Sequence, residues 1–371
     1  MTAEVGQSEI LEGLIGLGAQ PMSHLMVHAS LSAFGRVQGG AATVVAALVA
    51  AAGDGGAVIV PSFRDAIRSD YYGMRECQAV CPQPLCPSRE RGYTGAIGEA
   101  LREQPGALRS CHPTHTWVGL GGDASFLLEG HGQSRTPCGR ESPFFRLMER
   151  DGLALLLGVG VQSLTNIHAV EDARNVPYLS AVDAPRRHAT YTTSGRRIQY
   201  RYSQLLHDAL QECNLIRSAK IGMATCHALR ARELGAFLWT VTEDDPWCLV
   251  LRPRGNRYDP AADAEAKTAR MAVAWKSRPD VSLWRKLLAA CQQLTAAPAG
   301  FSPSERPAAD CPAYRGVIRG HHRCAANDLP PWEKFEDYSA DEPGVATCDT
   351  CNWDRVASDF VSEAQSTVEG V

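Results

Sequence analysis

His168, Glu171 and Asp172 stand at i, i+3 and i+4 within residues 153–172, LALLLGVGVQSLTNIHAVED. On a helix this spacing puts at least one carboxylate beside the imidazole. An imidazole held by a carboxylate is suited to taking a proton from a reacting group near neutral pH. The same spacing also describes a capped surface helix with a solvated His–acid pair, and spacing alone does not separate the two. Residues 153–157 are a continuous apolar run, which reads as a strand buried on both faces. Gly158 and Gly160 break that run, and Ser163 or Thr165 can cap the helix that follows. Such a strand–loop–helix turn exposes polar groups at the carboxyl edge of a parallel sheet, where α/β proteins place ligands.

The elements that must hold this stretch are legible on either side of it. Apolar residues at 10, 11, 14, 15 and 17 give a first helix, and residues 25–28 a short strand. A glycine-bearing polar loop then leads into an Ala/Val-rich helix over 41–52 and a strand over 57–61, a βαβ unit. It carries neither G-x-G-x-x-G nor a Walker motif, so no dinucleotide or phosphate loop is signalled. Residues 64–91 read as an irregular loop holding Cys77, Cys81, Cys86 and five arginines. A helix over 94–103, a strand over 116–120 and helices over 124–129 and 142–148 precede the central stretch. His112 and His115, flanking a Pro–Thr pair, are either a metal pair or two residues that shape a loop. After the central stretch the alternation HATYTT, a Ser–Gly turn and RRIQYRYS predict a hairpin over 188–202. A helix over 203–213, a strand over 220–229, a helix over 231–241 and a strand over 247–252 follow. Two more helices reach 274 and 294, and 295–309 is a Pro/Ala/Ser linker.

Composition excludes some partners. The 37 basic and 41 acidic residues leave a formal charge of −4, with no nucleic-acid footprint. No apolar run approaches the roughly 18 residues of a membrane span. The acidic amino terminus has no signal-peptide pattern, which predicts a cytoplasmic chain. In that setting thirteen cysteines, an odd number, read as thiols and metal ligands rather than a disulfide framework.

Four blocks, in order, carry a family resemblance: HASLSAFGRVQGG, GYTGAIGEALREQPGALRSCHPTHTWVGLGGDA, TPCGRESPFFRL and LLLGVGVQSLTNIHAVED. Together with KIGMATCHALRARELGAFL they resemble the aminoglycoside 3-N-acetyltransferase family over about residues 10 to 250. The fold implied is an antibiotic N-acetyltransferase-like α/β/α sandwich with a small β-hairpin insertion, followed here by a Cys-rich C-terminal extension. The implied division is an acetyl-CoA-dependent domain over 1–275, helix and linker over 276–309, and the extension over 310–371.

The activity implied is acetyl transfer from acetyl-CoA, the co-substrate, to an amine of a small antibiotic-type acceptor. An alkyl amine is protonated at neutral pH and must lose a proton before it attacks a thioester. His168 matches the position of the family's catalytic histidine, with Glu171 orienting it as acids do in triads. Thr165 would offer its hydroxyl to the thioester oxygen, a role compatible with capping the helix. On the cofactor side the resemblance points to His28, Ser30 and Leu31 in the first βα turn, and to Arg109 and Ser110 as a phosphate pair. His112 and Thr116 match an HPxxS/T element that lines the pantetheine channel, with Thr116 standing where many members have Ser.

A cationic acceptor needs carboxylates, for which Asp65, Asp70 and Asp172 are candidates. The arginines of 64–91 crowd the same region, which points to a biosynthetic N-acyltransferase for a less basic amine as the alternative. A zinc-stabilised binding protein without turnover is a third class, opposed by the intact His168 and Glu171. In the tail, Cys348 and Cys351 form a C-x-x-C pair that, with Cys311 and Cys324 or one of His321 and His322, predicts one structural zinc. The tail has too few aliphatic residues for a core of its own.

Overall fold

The structure is a computed structural model that describes residues 4–63, 85–87, 91–92, 94–112, 115–134, 136–174, 176, 179–183, 189–193, 202–250, 260–295, 314–318 and 321–324. Helix α1 (Gln7–Gly16) precedes strand β1 (His24–Ala29), helix α2 (Ala41–Ala52) and strand β2 (Ala57–Pro61). β1 and β2 pair in parallel, with Met26 opposite Ile59, so the expected βαβ unit forms. After α3 (Ala96–Arg102) come the short β3 (Leu108–Arg109) and β4 (Trp117–Gly121); β4 returns antiparallel along β2, and β3 pairs antiparallel with the outer side of β4. Helices α4 (Ala124–Leu128) and α5 (Pro143–Glu149) lead to β5 (Leu153–Leu157), which inserts parallel to β1 on its other side.

The second half adds α6 (Asn166–Arg174), a separate hairpin of β6 (Leu179–Asp183) and β7 (Ala189–Thr193), and α7 (Tyr202–Glu212). Strands β8 (Arg217–Ile221) and β9 (Ala224–Arg230) complete the sheet, followed by α8 (Ala231–Asp244), α9 (Pro260–Ser277) and α10 (Trp284–Thr295). A further hairpin, β10 (Tyr314–Ile318) and β11 (His321–Cys324), lies in the tail. The main sheet has the order β3-β4-β2-β1-β5-β9-β8, parallel at its centre and antiparallel at both edges.

Period-two alternation along each strand divides the core between the two sheet faces. Leu25, Val27, Val58, Leu153, Leu155 and Leu157 face α1, α2 and α3, and all are buried. Met26, Ile59, Trp117, Ala154, Leu156 and Leu229 face the opposite layer, built from α4 to α10. β5 is buried at all five positions, so its sequence shows an unbroken apolar run rather than alternation. The helical layer continues past the sheet, because α10 packs on both α6 and α8. Its approach needs Gly235, where an added Cβ would come within 2.7 Å of Met148 Sδ and 3.5 Å of a Leu287 methyl.

Three predicted elements differ. The single strand expected over 220–229 is the β8–β9 hairpin, turned at Gly222 and Met223. The strand expected over 247–252 does not form among the described residues up to 250. The carbonyls of Trp247 and Val250 accept from the buried Lys267 ammonium, so they are not free for a ladder. The predicted hairpin pairs one strand earlier, β7 with β6, and Tyr202 already begins α7. Of the metal candidates, Cys311, Cys348 and Cys351 lie outside the described residues, as do Cys77 and Cys81. Cys324 ends β11, and its side chain lies outside the description. Among the described residues no group of three or more His, Cys, Asp or Glu side chains is placed to hold a metal. No helix among them is long and apolar enough to cross a membrane.

Candidate active site

The carboxyl ends of β1, β2 and β5 share one edge of the sheet with the starts of β4 and β9, since Pro61 pairs with Trp117 and Leu157 with Cys226. At β1 the topology switches direction: the next strand in sequence lies to one side, and β5 to the other. A crevice at such a switch is where an open α/β sheet receives its ligand. The register therefore brings His28, Ser62, Phe63, Thr116 and the loop after β5 to one edge. Gly158 starts that loop with φ +70° against the first βα turn, where a Cβ would meet Ala33 Cβ at 2.3 Å.

α6 begins one residue after Thr165 and carries His168 and Glu171 on successive turns. Their side chains meet, with His168 Nδ1 2.5 Å from Glu171 Oε2. Glu171 has no solvent exposure, whereas the His168 side chain is 30% exposed and so remains open to the crevice. Leaving a buried carboxylate unpaired costs several kcal/mol, which keeps the imidazole in place. With Nδ1 as the donor to Glu171, Nε2 carries the lone pair that can accept a proton. Asp172, on the adjoining position of the helix, accepts a hydrogen bond from the Thr136 hydroxyl. The other acidic candidates, Asp65 and Asp70, lie outside the described residues.

His28 is the last buried residue of β1, at 5% exposure, with its ring edge-on to Trp117 at 5.6 Å. It is thus set behind the crevice surface, and its Nε2 lies 3.5 Å from Thr165 Oγ1. Burial pushes its pKa down to about 4, against a weaker upward pull from Asn166. An unfolded chain takes up a proton at the ordinary imidazole value of 6.5, while folded His28 refuses it until about 4. Its contribution to stability is full above the unfolded value and is lost at about 1.4 kcal/mol per pH unit as pH falls through the window. Urea midpoints measured from pH 7 to pH 5 should therefore decline, and should decline less in His28→Gln.

The remaining cofactor candidates divide. Ser30 and Leu31 lie partly exposed on the first turn, with the Ser30 N–H donating to Leu157 O at 3.0 Å. Arg109 is turned into the fold instead: it is 4% exposed and donates to Ser62 O at 2.9 Å and to Thr116 Oγ1 at 3.1 Å. Thr116, fully buried, in turn donates to Ser62 O. Ser110 accepts from the Trp117 N–H at 2.8 Å and lies 3.0 Å from His131 Nδ1. His131 Nε2 donates to Pro137 O at 2.9 Å, so the Ser110 hydroxyl is the donor to Nδ1. His112 is buried, stacks on His131 at 4.6 Å, and accepts the His115 N–H at Nδ1. These four residues tie the ends of β2, β3 and β4 to the loop at 131–137 and so form a wall behind the crevice.

Sequence reasoning did not place His115, Phe63, Asn166 or Thr136 at the site. The His115 ring packs on Phe63 at 4.7 Å, and its pKa is lowered to about 3 by burial first, then by the positive potentials of His131 and His168. His115 is therefore a neutral neighbour of the His168–Glu171 pair. Its position just before β4, a strand antiparallel to β2, is the signal that sets it on the same edge. That pairing is not visible until the sheet order is known.

A family model described as aminoglycoside 3-N-acetyltransferase matches residues 26–243, from within β1 almost to the end of α8. Aminoglycoside N(3)-acetyltransferase III of Acinetobacter baumannii is 38% identical over 177 residues, 45% of this chain. The chain spans 60% of that relative's length. Aminoglycoside N(3)-acetyltransferase VIII of Streptomyces fradiae is 31% identical over 218 residues, covering 53% of this chain and 70% of that protein. Among solved structures, the AAC-IIIb binary complex with CoASH aligns at TM-score 0.54 and 25% identity, over 68% of this chain and all of that one. Aminoglycoside acetyltransferase AAC(3)-IIb aligns at TM-score 0.52 and 26% identity, over 65% and 98%. The matched segment contains the switch-point crevice and both members of the His168–Glu171 pair, and on these findings the chain belongs to the aminoglycoside 3-N-acetyltransferase family.

Proposed function

We propose that this chain transfers the acetyl group of acetyl-CoA to an amine of an aminoglycoside-type acceptor, with His168 as general base and Glu171 as its orienting partner. The observation that carries the reading is the contact between half-open His168 and fully buried Glu171 at the carboxyl edge of the sheet. Relatives named as aminoglycoside N(3)-acetyltransferases and a neighbour bound to CoASH support the donor and the acceptor class.

The acceptor ammonium gives one proton to solvent, and His168 Nε2 takes a second as the amine nitrogen bonds to the thioester carbonyl carbon. The imidazolium that forms is stabilised by Glu171 through Nδ1–H. Thr165, at the start of α6, offers its hydroxyl to the oxygen that gains negative charge. When the carbon–sulfur bond breaks, the proton on His168 passes to the departing CoA sulfur, leaving the amide and restoring the neutral ring. Asp172, one helical turn from His168, would pair with a second ammonium of a polycationic substrate.

CoA release, read with a thiol reagent, tests this with a panel of amines. Release with 2-deoxystreptamine aminoglycosides, and loss of release for analogues lacking the 3-amine, is the expected result. Release only with an unrelated, less basic amine would overturn the acceptor class. A protein that releases CoA with no amine would overturn the reading as a whole.

A further inference from the structure

A hydroxyl that stabilises a developing oxyanion must be aimed as well as present. Thr165 belongs to no regular element, and α6 starts only at the next residue. The group facing its Oγ1 is the His28 imidazole, 3.5 Å away through Nε2. This ring comes from a different part of the chain and is held rigidly, since it lies within the central strand and packs edge-on against fully buried Trp117. Asn166, 7% exposed, adjoins the same ring, and its side chain raises the imidazole's basicity less than burial lowers it. Thus a buried imidazole and a buried carboxamide converge beside the Thr165 hydroxyl.

We propose that His28 is a positioning residue for acyl transfer: its Nε2–H donates to Thr165 Oγ1 and leaves the threonine's own proton directed at the acetyl oxygen. The inference deepens the reading given under Proposed function and rests on it. A neutral ring has one N–H and one bare nitrogen, and assigning the proton to Nε2 makes the ring a donor at the contact. His28 stays uncharged at neutral pH because burial disfavours imidazolium. It is accordingly too weak a base to activate Thr165 as a nucleophile, so the hydroxyl acts as a donor and no acetyl-threonine forms. His168 handles the proton and the His28–Thr165 pair handles the oxygen. The contact is long for a hydrogen bond, as catalytic contacts are before substrate is bound.

The test is a double-mutant cycle in the full chain with acetyl-CoA and an accepted aminoglycoside. Thr165→Val should lower kcat by roughly 10²-fold, in the range for an oxyanion donor. His28→Ala should lower kcat by about tenfold or more, with KM for acetyl-CoA little changed. The double variant should be no slower than Thr165→Val alone, because His28 acts through Thr165. His28→Gln, which can present an N–H at the same point, should recover part of the loss. His28→Asn fills the space with an amide too short to reach Thr165, and replaces the alanine variant if that one does not fold.

A second readout needs no acceptor. The thioester carbonyl stretch of bound, isotope-labelled acetyl-CoA should lie at lower frequency in the wild type. That shift should vanish alike in Thr165→Val and His28→Ala and return in His28→Gln. Losses that multiply in the double variant, a carbonyl band indifferent to His28, or an acetyl adduct on Thr165 would each overturn the inference. A wild type whose carbonyl band behaves as expected but which acylates no aminoglycoside would instead overturn only the acceptor assigned above.

Discussion

Replacing His168 by alanine is expected to lower kcat by roughly 10²- to 10⁴-fold, the range for loss of a general base, with little change in acetyl-CoA affinity. The size follows from geometry, since Nδ1 is committed to Glu171 and Nε2 is the ring's one proton acceptor. Alanine also takes the imidazole away from a fully buried carboxylate, so His168→Asn is the better companion. Its amide nitrogen can still donate to Glu171, yet it has no basic nitrogen. Both variants should be inactive although the asparagine form keeps its thermal stability, as melting curves beside steady-state rates would show. Near-normal turnover in either would sink the assignment. Glu171→Gln should cost less than either, because it keeps the shape of the orienting group and loses only the charge that favours imidazolium.

That dyad was legible in the sequence because it is local. Three residues on one helix suffice to bring an imidazole to a carboxylate, and the apolar run at 153–157 fixes the edge on which the helix starts. The βαβ unit was legible for the same reason, as were most helices. Contacts between distant segments were not. Nothing near His28 in sequence tells that its ring will face Thr165, 137 positions later, because that requires knowing that β5 pairs beside β1. The β8–β9 hairpin was missed because both strands are short and the turn between them is only two residues. The apolar stretch at 247–250 looked like a strand, but its carbonyls went to Lys267, a partner contributed by a helix 17 to 20 residues on. Periodicity reports which side of an element is buried, not which distant polar group will claim its backbone.

Arg109→Ala should destabilise the protein by roughly 3 kcal/mol, and should not selectively weaken binding of the CoA 3′-phosphate. The family resemblance points to Arg109 and Ser110 as a phosphate pair. In the structure the guanidinium is 4% exposed and reaches across from β3 to Ser62 O, Ser62 Oγ and Thr116 Oγ1. Removing it recovers the cost of burying a cation, which favours the variant. It also leaves a cavity and takes away the charged donor shared by the Ser62 and Thr116 oxygens, and hydrogen bonds to charged groups are worth about 1.5–3 kcal/mol each. The second effect wins because several such bonds are lost at once, while only one cation is released. In a chain of this size the melting temperature should fall by about 4 °C. Arg109→Lys should not restore it, since one ammonium cannot span acceptors on two strands as a planar fork does. The comparison that decides the role is kinetic: acetyl-CoA and its 3′-dephospho analogue should suffer equally in Arg109→Ala. A stable variant in which only the phosphorylated donor loses affinity would return the guanidinium to the nucleotide and leave the Ser62–Thr116 hydrogen bond to hold the wall of the crevice alone.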